Sequence, residues 1–182
     1  MQIALIGGSF NPPHVGNQLA ALYVRSTLPI DEVWLVPTFR HPFGKPHEPF
    51  EHRVAMCEAM GRDLGGWLKV CDAEQHVGGS GRTIELLEWL LPRNKADASH
   101  FIIGSDILAD LPKWKDWDRI QQLVKVTVLY RAGYPAPNAL GPPLAEVSSS
   151  EIRARLEKGE APADLVPRAV LGYARAHHLY GL

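Results

Sequence analysis

Residues 1–17 read MQIALIGGSFNPPHVGN. An apolar run, Ile3 to Ile6, stops at Gly7-Gly8. Ser9, Phe10 and Asn11 follow, then Pro12-Pro13, then His14-Val15-Gly16-Asn17. A short, continuous apolar run is the pattern of a strand buried on both faces of a parallel sheet. The glycine pair predicts a tight turn, and a helix is expected to open near His14. Strand, glycine turn and helix in that order put backbone N–H groups and an imidazole where a polyphosphate binds. Gly8 carries no side chain to block a close phosphate approach. An ordinary strand-to-helix connection uses similar residues. Here three requirements coincide: close backbone approach, a helix start and a histidine within one turn of it.

Working outward, strand signals recur at Glu32–Val36, Trp67–Val70, His100–Ile103 and Val126–Tyr130, with a short sixth at Leu144–Val147. Amphipathic helical stretches lie between them. Asn17–Ser26 spaces Leu19, Leu22 and Tyr23 by three and four, and Phe50–Gly61 does the same with Val54, Cys57 and Met60. Thr83–Leu91 carries Ile84, Leu87, Leu90 and Leu91 on one side and is stopped by Pro92. Alternating strands and helices predict an α/β fold, a Rossmann-like doubly wound parallel sheet. A length of 182 residues fits one domain over 1–182 with a sizeable core, its C-terminal helical part at about 148–182. Thr38–Pro49 and Arg131–Pro143 read as long loops, the second mainly a connector.

Composition excludes several classes. A net charge of −1 argues against a bulk polyanion binder, so no nucleic-acid partner is expected. No apolar stretch approaches the ~20 residues of a membrane span, and the N-terminus lacks a secretory pattern, so a cytoplasmic location is expected. Cys57 and Cys71 make no metal spacing with a neighbour and read as buried, reduced thiols. Nothing in the sequence sets the oligomeric state.

Three more segments bear on chemistry. Val147-Ser148-Ser149-Ser150-Glu151-Ile152-Arg153 places serines at a helix start, where hydroxyls lie beside free N–H groups, and adds a guanidinium on the first turn. The same residues also make an ordinary capped helix start. Phe101-Ile102-Ile103-Gly104-Ser105-Asp106 ends a buried strand at the edge where ligands bind in open α/β sheets. Asp106 stands at that edge, where it would face a ligand or else cap a helix. Asn17 follows His14 by about one turn, read as an exposed helix face lining the pocket. It donates neutral N–H bonds, weaker than those a cationic histidine would make.

These motifs resemble those of the nucleotidyltransferase superfamily, and within it the bacterial nicotinate-nucleotide adenylyltransferases. GGSFNPPHVGN is similar to the family's GG-(S/T)-F-(D/N)-P-x-H-x-G-H element, with Asn17 at the place of the second histidine. Class I aminoacyl-tRNA synthetases have a similar motif and accept asparagine there. The resemblance implies adenylyl transfer from ATP to nicotinate mononucleotide, giving deamido-NAD and pyrophosphate, slowed by Asn17. It makes His14 and Asn17 catalytic. Gly8, Ser9 and Phe10 would line the ATP pocket. Ser148, Ser149 and Arg153 would grip the β- and γ-phosphates as in I-S-S-T-x-I-R, and Gly104 and Asp106 would meet the adenosine as in I-I-G-x-D. On the pyridine side it implies Thr83 on the nicotinate carboxylate and Trp114 stacked on the ring, with Trp117 left in the core. Lys45 would hold the mononucleotide phosphate, although HPFGK departs from the family's P-P-H-K. Leu165–Tyr180 looks like the family's closing helix. Mg²⁺ would come with ATP, without protein metal ligands. Two alternatives stay open: another acceptor such as nicotinamide mononucleotide, and a nucleotide-binding protein with little turnover.

Overall fold

The computed structural model describes residues 1–40, 47–78, 80–93, 98–144, 147–160 and 162–182. Its frame is a parallel sheet of six strands: β1 (Gln2–Gly8), β2 (Glu32–Pro37), β3 (Leu68–Val70), β4 (Ala98–Gly104), β5 (Lys125–Arg131) and β6 (Leu140–Leu144). The order across the sheet is β3-β2-β1-β4-β5-β6, with every neighbouring pair parallel. β1 pairs Ile6 with Leu35 on one side and with Ile102 on the other. The order of strands reverses between β1 and β4. In open α/β sheets that reversal opens a crevice beyond the strand C-termini.

Alternation along β1 explains the two layers of helices. Ile3 and Leu5 point to one face, Ala4 and Ile6 to the other. The Ala4 and Ile6 face is covered by α1 (Val15–Thr27), α2 (Phe50–Gly61), α5 (Ser149–Glu157) and α6 (Arg168–Ala176). The Ile3 and Leu5 face is covered by α3 (Thr83–Leu90), a 3₁₀ helix over Ser105–Lys113 and α4 (Trp117–Leu123). The chain is therefore an α/β, Rossmann-like doubly wound fold. Leu5, Leu35 and Leu87 are wholly buried, and truncating such a side chain to Ala costs about 2–5 kcal/mol. Among the described residues no helix is long and apolar enough to cross a membrane.

The sixth strand corrects the sequence reading. It runs over Leu140–Leu144, largely inside the stretch read as a connector; of the expected Leu144–Val147, residues 145 and 146 lie outside the described residues. Pro142 and Pro143 hide it, because proline cannot donate to a ladder. On an outermost strand with one neighbour that loss is tolerated. The pairing with β5 is irregular between Leu129 and Arg131.

Candidate active site

The loop from β1 to α1 is tied down by its carbonyl groups. Gly8 O accepts the Thr38 N–H at 2.9 Å. Ser9 O accepts from Arg53 at 2.8 Å, Asn11 O from Arg153 at 2.7 Å, and Pro12 O from the Ser149 hydroxyl at 2.9 Å. Asn11 is 2% exposed, and its Oδ1 accepts both the Tyr180 hydroxyl at 2.8 Å and the Glu48 N–H at 3.2 Å. Between these anchors Phe10 adopts φ 47°, a left-handed conformation costing about 1–3 kcal/mol for a bulky residue. Its ring is buried and lies over Gly8, where a Cβ would come within 3.3 Å of it. A side chain at Gly8 would therefore press on the Phe10 ring.

His14 is the N-cap of α1, in extended conformation and 6% exposed. Its Nδ1 is buried and has no hydrogen-bond partner. Burial first, and the nearby Arg131 charge second, push its pKa down to about 4, so the imidazole is neutral at pH 7. Gly16 makes room for the ring: a Cβ there would lie 3.0 Å from His14 Nδ1 and 3.4 Å from Val147 Cβ. Not every N–H at this helix start is free, since Val15 N–H is taken by Leu165 O at 2.9 Å. Asn17 is half-buried, not on an exposed face, and its Oδ1 accepts the His14 N–H at 3.0 Å. With Oδ1 so engaged, the amide's NH₂ is the half left for another partner.

α5 meets this loop directly. Ser148 caps it, its hydroxyl accepting the Glu151 N–H at 3.2 Å. Ser149 and Arg153 reach back to Pro12 and Asn11 as given above. Arg153 also donates to Ser150 Oγ at 3.3 Å and lines an open cleft of about 660 Å³ with Asn11, Leu156 and Tyr180. Beside the loop, β4 ends at Gly104. A Cβ there would run into Asp106 Oδ1. Asp106 makes no helix cap; its carboxylate lies 3.8 Å from Arg131 Nε. The buried Ser105 hydroxyl accepts the Arg131 N–H at 2.8 Å and donates to Tyr134 O at 2.7 Å, locking the ends of β4 and β5 together.

Gly8, Ser9, Phe10, His14, Asn17, Gly104, Asp106, Ser148, Ser149 and Arg153 thus lie at the C-terminal ends of β1 and β4 and the N-termini of α1 and α5. Thr83 and Trp114 belong to the opposite helical layer. Thr83 begins α3, and Trp114 follows the 3₁₀ helix. The Lys115–Glu85 ion pair, 3.4 Å, ties their segments. Trp114 packs edge-on against Phe101 at 6.1 Å and Trp117 at 5.9 Å. Both tryptophans are half-buried, so Trp117 is not a fully buried core residue. Lys45 lies outside the described residues. Arg53, Arg131 and Tyr180 escaped the sequence reading. A buried arginine on an amphipathic helix was the available sign, at Arg53 among Val54, Cys57 and Met60. Burial raises the thiol pKa of both cysteines, strongly at Cys57.

A glycine loop at the strand reversal, flanked by a buried, neutral histidine and a serine-capped helix start, marks a ligand-binding α/β protein of the doubly wound class. The cytidylyltransferase-like family model matches residues 5–155. A Myxococcus xanthus protein described as a probable nicotinate-nucleotide adenylyltransferase is 60% identical over 100% of this chain and 96% of its own length. A Bacillus pumilus protein with the same description is 34% identical, with 98% of each covered. The chain belongs to the cytidylyltransferase-like family and, within it, to the nicotinate-nucleotide adenylyltransferases. The solved nicotinic acid mononucleotide adenylyltransferase of Plasmodium falciparum, complexed with NaAD, shares the fold. Its TM-score is 0.80 at 21% identity, covering 98% of this chain and 97% of that one.

Proposed function

We propose that this protein joins ATP and nicotinate mononucleotide into deamido-NAD and pyrophosphate. The observation that carries the chemistry is the place of His14: its neutral imidazole stands at the start of α1, beside a loop whose carbonyls are turned onto other partners. The acceptor is supported by the likeness to relatives over the whole chain.

In this reading a phosphate oxygen of the mononucleotide attacks the α-phosphorus of ATP. The bond to the bridging oxygen breaks and pyrophosphate leaves. The attacking oxygen is already anionic, so no general base is needed, and catalysis rests on positioning and on meeting developing charge. His14 donates an N–H to the polyphosphate. An anion beside it raises its pKa from the depressed value of the free protein. The Asn17 NH₂ supplies a neutral donor, with Gly8, Ser9 and Phe10 lining the pocket. Ser148, Ser149 and Arg153 stand at the leaving group, and Gly104 and Asp106 at the adenosine. Thr83 and Trp114 take the pyridine carboxylate and ring, and Lys45 the mononucleotide phosphate.

Mg²⁺ would arrive with ATP and neutralise phosphate charge. Asp106 faces Arg131, and among the described residues no group of three His, Cys, Asp or Glu side chains could hold an ion. That donor set suits an ion held by phosphates and water. The whole chain serves as one nucleotidyltransferase domain in this reading.

The test is pyrophosphate release from ATP and Mg²⁺ with nicotinate or nicotinamide mononucleotide. Release should be faster with the acid. Faster release with the amide would reassign the acceptor. ATP binding without release from either would make the chain a nucleotide-binding protein.

A further inference from the structure

Arg53 of α2 is 1% exposed, a cation placed in the core layer between α2 and the sheet. Burying a guanidinium is costly unless its donors are used. Its donors go to backbone: Nε to Glu48 O at 2.9 Å and a terminal nitrogen to Ser9 O at 2.8 Å. Ser9 O belongs to the peptide unit that carries the Phe10 N–H. That unit is trans, so its N–H points away from the carbonyl and from Arg53. The next peptide unit carries the Asn11 N–H, and the two after it end in Pro12 and Pro13, which have no N–H to offer. The Phe10 N–H is therefore a donor whose direction Arg53 sets. Without the arginine, the Ser9 carbonyl is free to rotate, and a carbonyl oxygen turned toward a polyphosphate repels it. The left-handed Phe10 depends on the same anchor, because such a conformation persists only where its surroundings over-determine it.

Tyr180 works on the far side of the same loop. Its hydroxyl and the Glu48 N–H share Asn11 Oδ1, and Glu48 O is the second acceptor of Arg53. Residue 48 thus joins the two anchors.

We propose that Arg53, with Tyr180 as its counterpart at Asn11, is a positioning residue that turns the Ser9–Phe10 peptide so that its N–H faces the ATP phosphates. The inference rests on the reading that this loop meets ATP. Arg53 is too deeply buried to meet the substrate and acts through the loop. Both bond to the β1–α1 loop from the helical layer opposite the one that carries Thr83 and Trp114.

Full-length Arg53→Lys, Arg53→Met and Tyr180→Phe decide it. Each is measured for melting temperature, for ATP affinity by calorimetry without acceptor, and for kcat and the two KM values. Arg53→Lys keeps the charge and three N–H donors, but on a single nitrogen that lacks the planar fork reaching Glu48 O and Ser9 O from two separate nitrogens. It should lower kcat/KM for ATP about ten- to a hundredfold, the range expected of a misplaced catalytic group. The KM for the mononucleotide should move less than about twofold. Arg53→Met should lose more than Arg53→Lys, and Tyr180→Phe should lose in the same direction by a smaller factor. A folded Arg53→Lys with a lower melting temperature but unchanged kcat and ATP constants would overturn the proposal. So would equal damage to both substrates. If both Arg53 variants fail to fold, Tyr180→Phe decides by the same readouts. Absence of pyrophosphate release in the unaltered protein would defeat the proposed reaction, while calorimetric ATP affinities across the variants would still judge Arg53.

Discussion

Replacing His14 should change how the protein tolerates acid. The folded chain keeps this imidazole neutral down to about pH 4, whereas in the unfolded chain it titrates at its ordinary 6.5. Above pH 6.5 both states are neutral and the group contributes nothing to the pH dependence. Between 6.5 and 4 the unfolded chain alone takes the proton, so stability falls as pH falls. Below about 4 both states are protonated and the loss is complete. The difference between 6.5 and about 4 corresponds to roughly 3 kcal/mol at 1.36 kcal/mol per unit. That is a large share of a typical domain stability of about 5–15 kcal/mol. Most of it, about 2.5 kcal/mol, is reached by pH 4.5. Urea unfolding of the unaltered protein and His14→Gln at pH 7.5 and 4.5 measures it, with the stability difference between the two proteins as the quantity compared. Other titrating groups, including His100, whose pKa burial also lowers, cancel in that difference. The variant should gain about 2.5 kcal/mol relative to the parent on going to pH 4.5. A saturating non-hydrolysable ATP analogue should shrink the gap, because a neighbouring anion favours the protonated ring. Parallel stability curves for the two proteins would refute the argument, since they would mean that His14 titrates alike folded and unfolded.

The remaining predictions concern catalysis. His14→Ala should lower adenylyl transfer by about 10²–10³ in a folded protein, the usual effect of losing one preorganised donor; a fall under tenfold counts against its role. Gly16→Ala, elsewhere in a helix a gain of about 0.5–1 kcal/mol, should here displace the His14 ring and lower kcat, because its Cβ would lie 3.0 Å from Nδ1. Unchanged kcat would show that the ring has room to move. Arg153→Ala should weaken ATP more than the mononucleotide, through the leaving group and the freed Asn11 carbonyl; separate titrations decide, and an equal loss of both would refute it. Asn17→His should raise turnover about five- to thirtyfold by adding a charge-assisted donor, with a cap cost of about 1 kcal/mol if the His14 N–H loses its acceptor. No gain in rate would mean that another donor already fills the place.

The sequence by itself determined the elements and the motifs. Apolar runs such as Ile3–Ile6 and EVWLV are buried on both faces, and their composition records that directly. Gly7-Gly8, the serine cap at Ser148 and the Gly104 turn are local in origin, because turn and cap chemistry is settled within a few residues. β6 was misplaced because Pro142 and Pro143 mimic a loop, and only its single neighbour in the sheet makes them acceptable. Tertiary structure alone decided what surrounds each motif. The neutral state of His14 comes from burial and from Arg131, 117 positions away in the chain. The commitment of Asn17 to the His14 N–H follows from the cap geometry of α1. The anchoring of the β1–α1 loop by Arg53, Ser149, Arg153 and Tyr180 draws on α2, α5 and the C-terminal turn. A hydrogen bond between residues 44 to 169 positions apart leaves no periodicity or local signature, so it becomes legible once the sheet has brought its partners together.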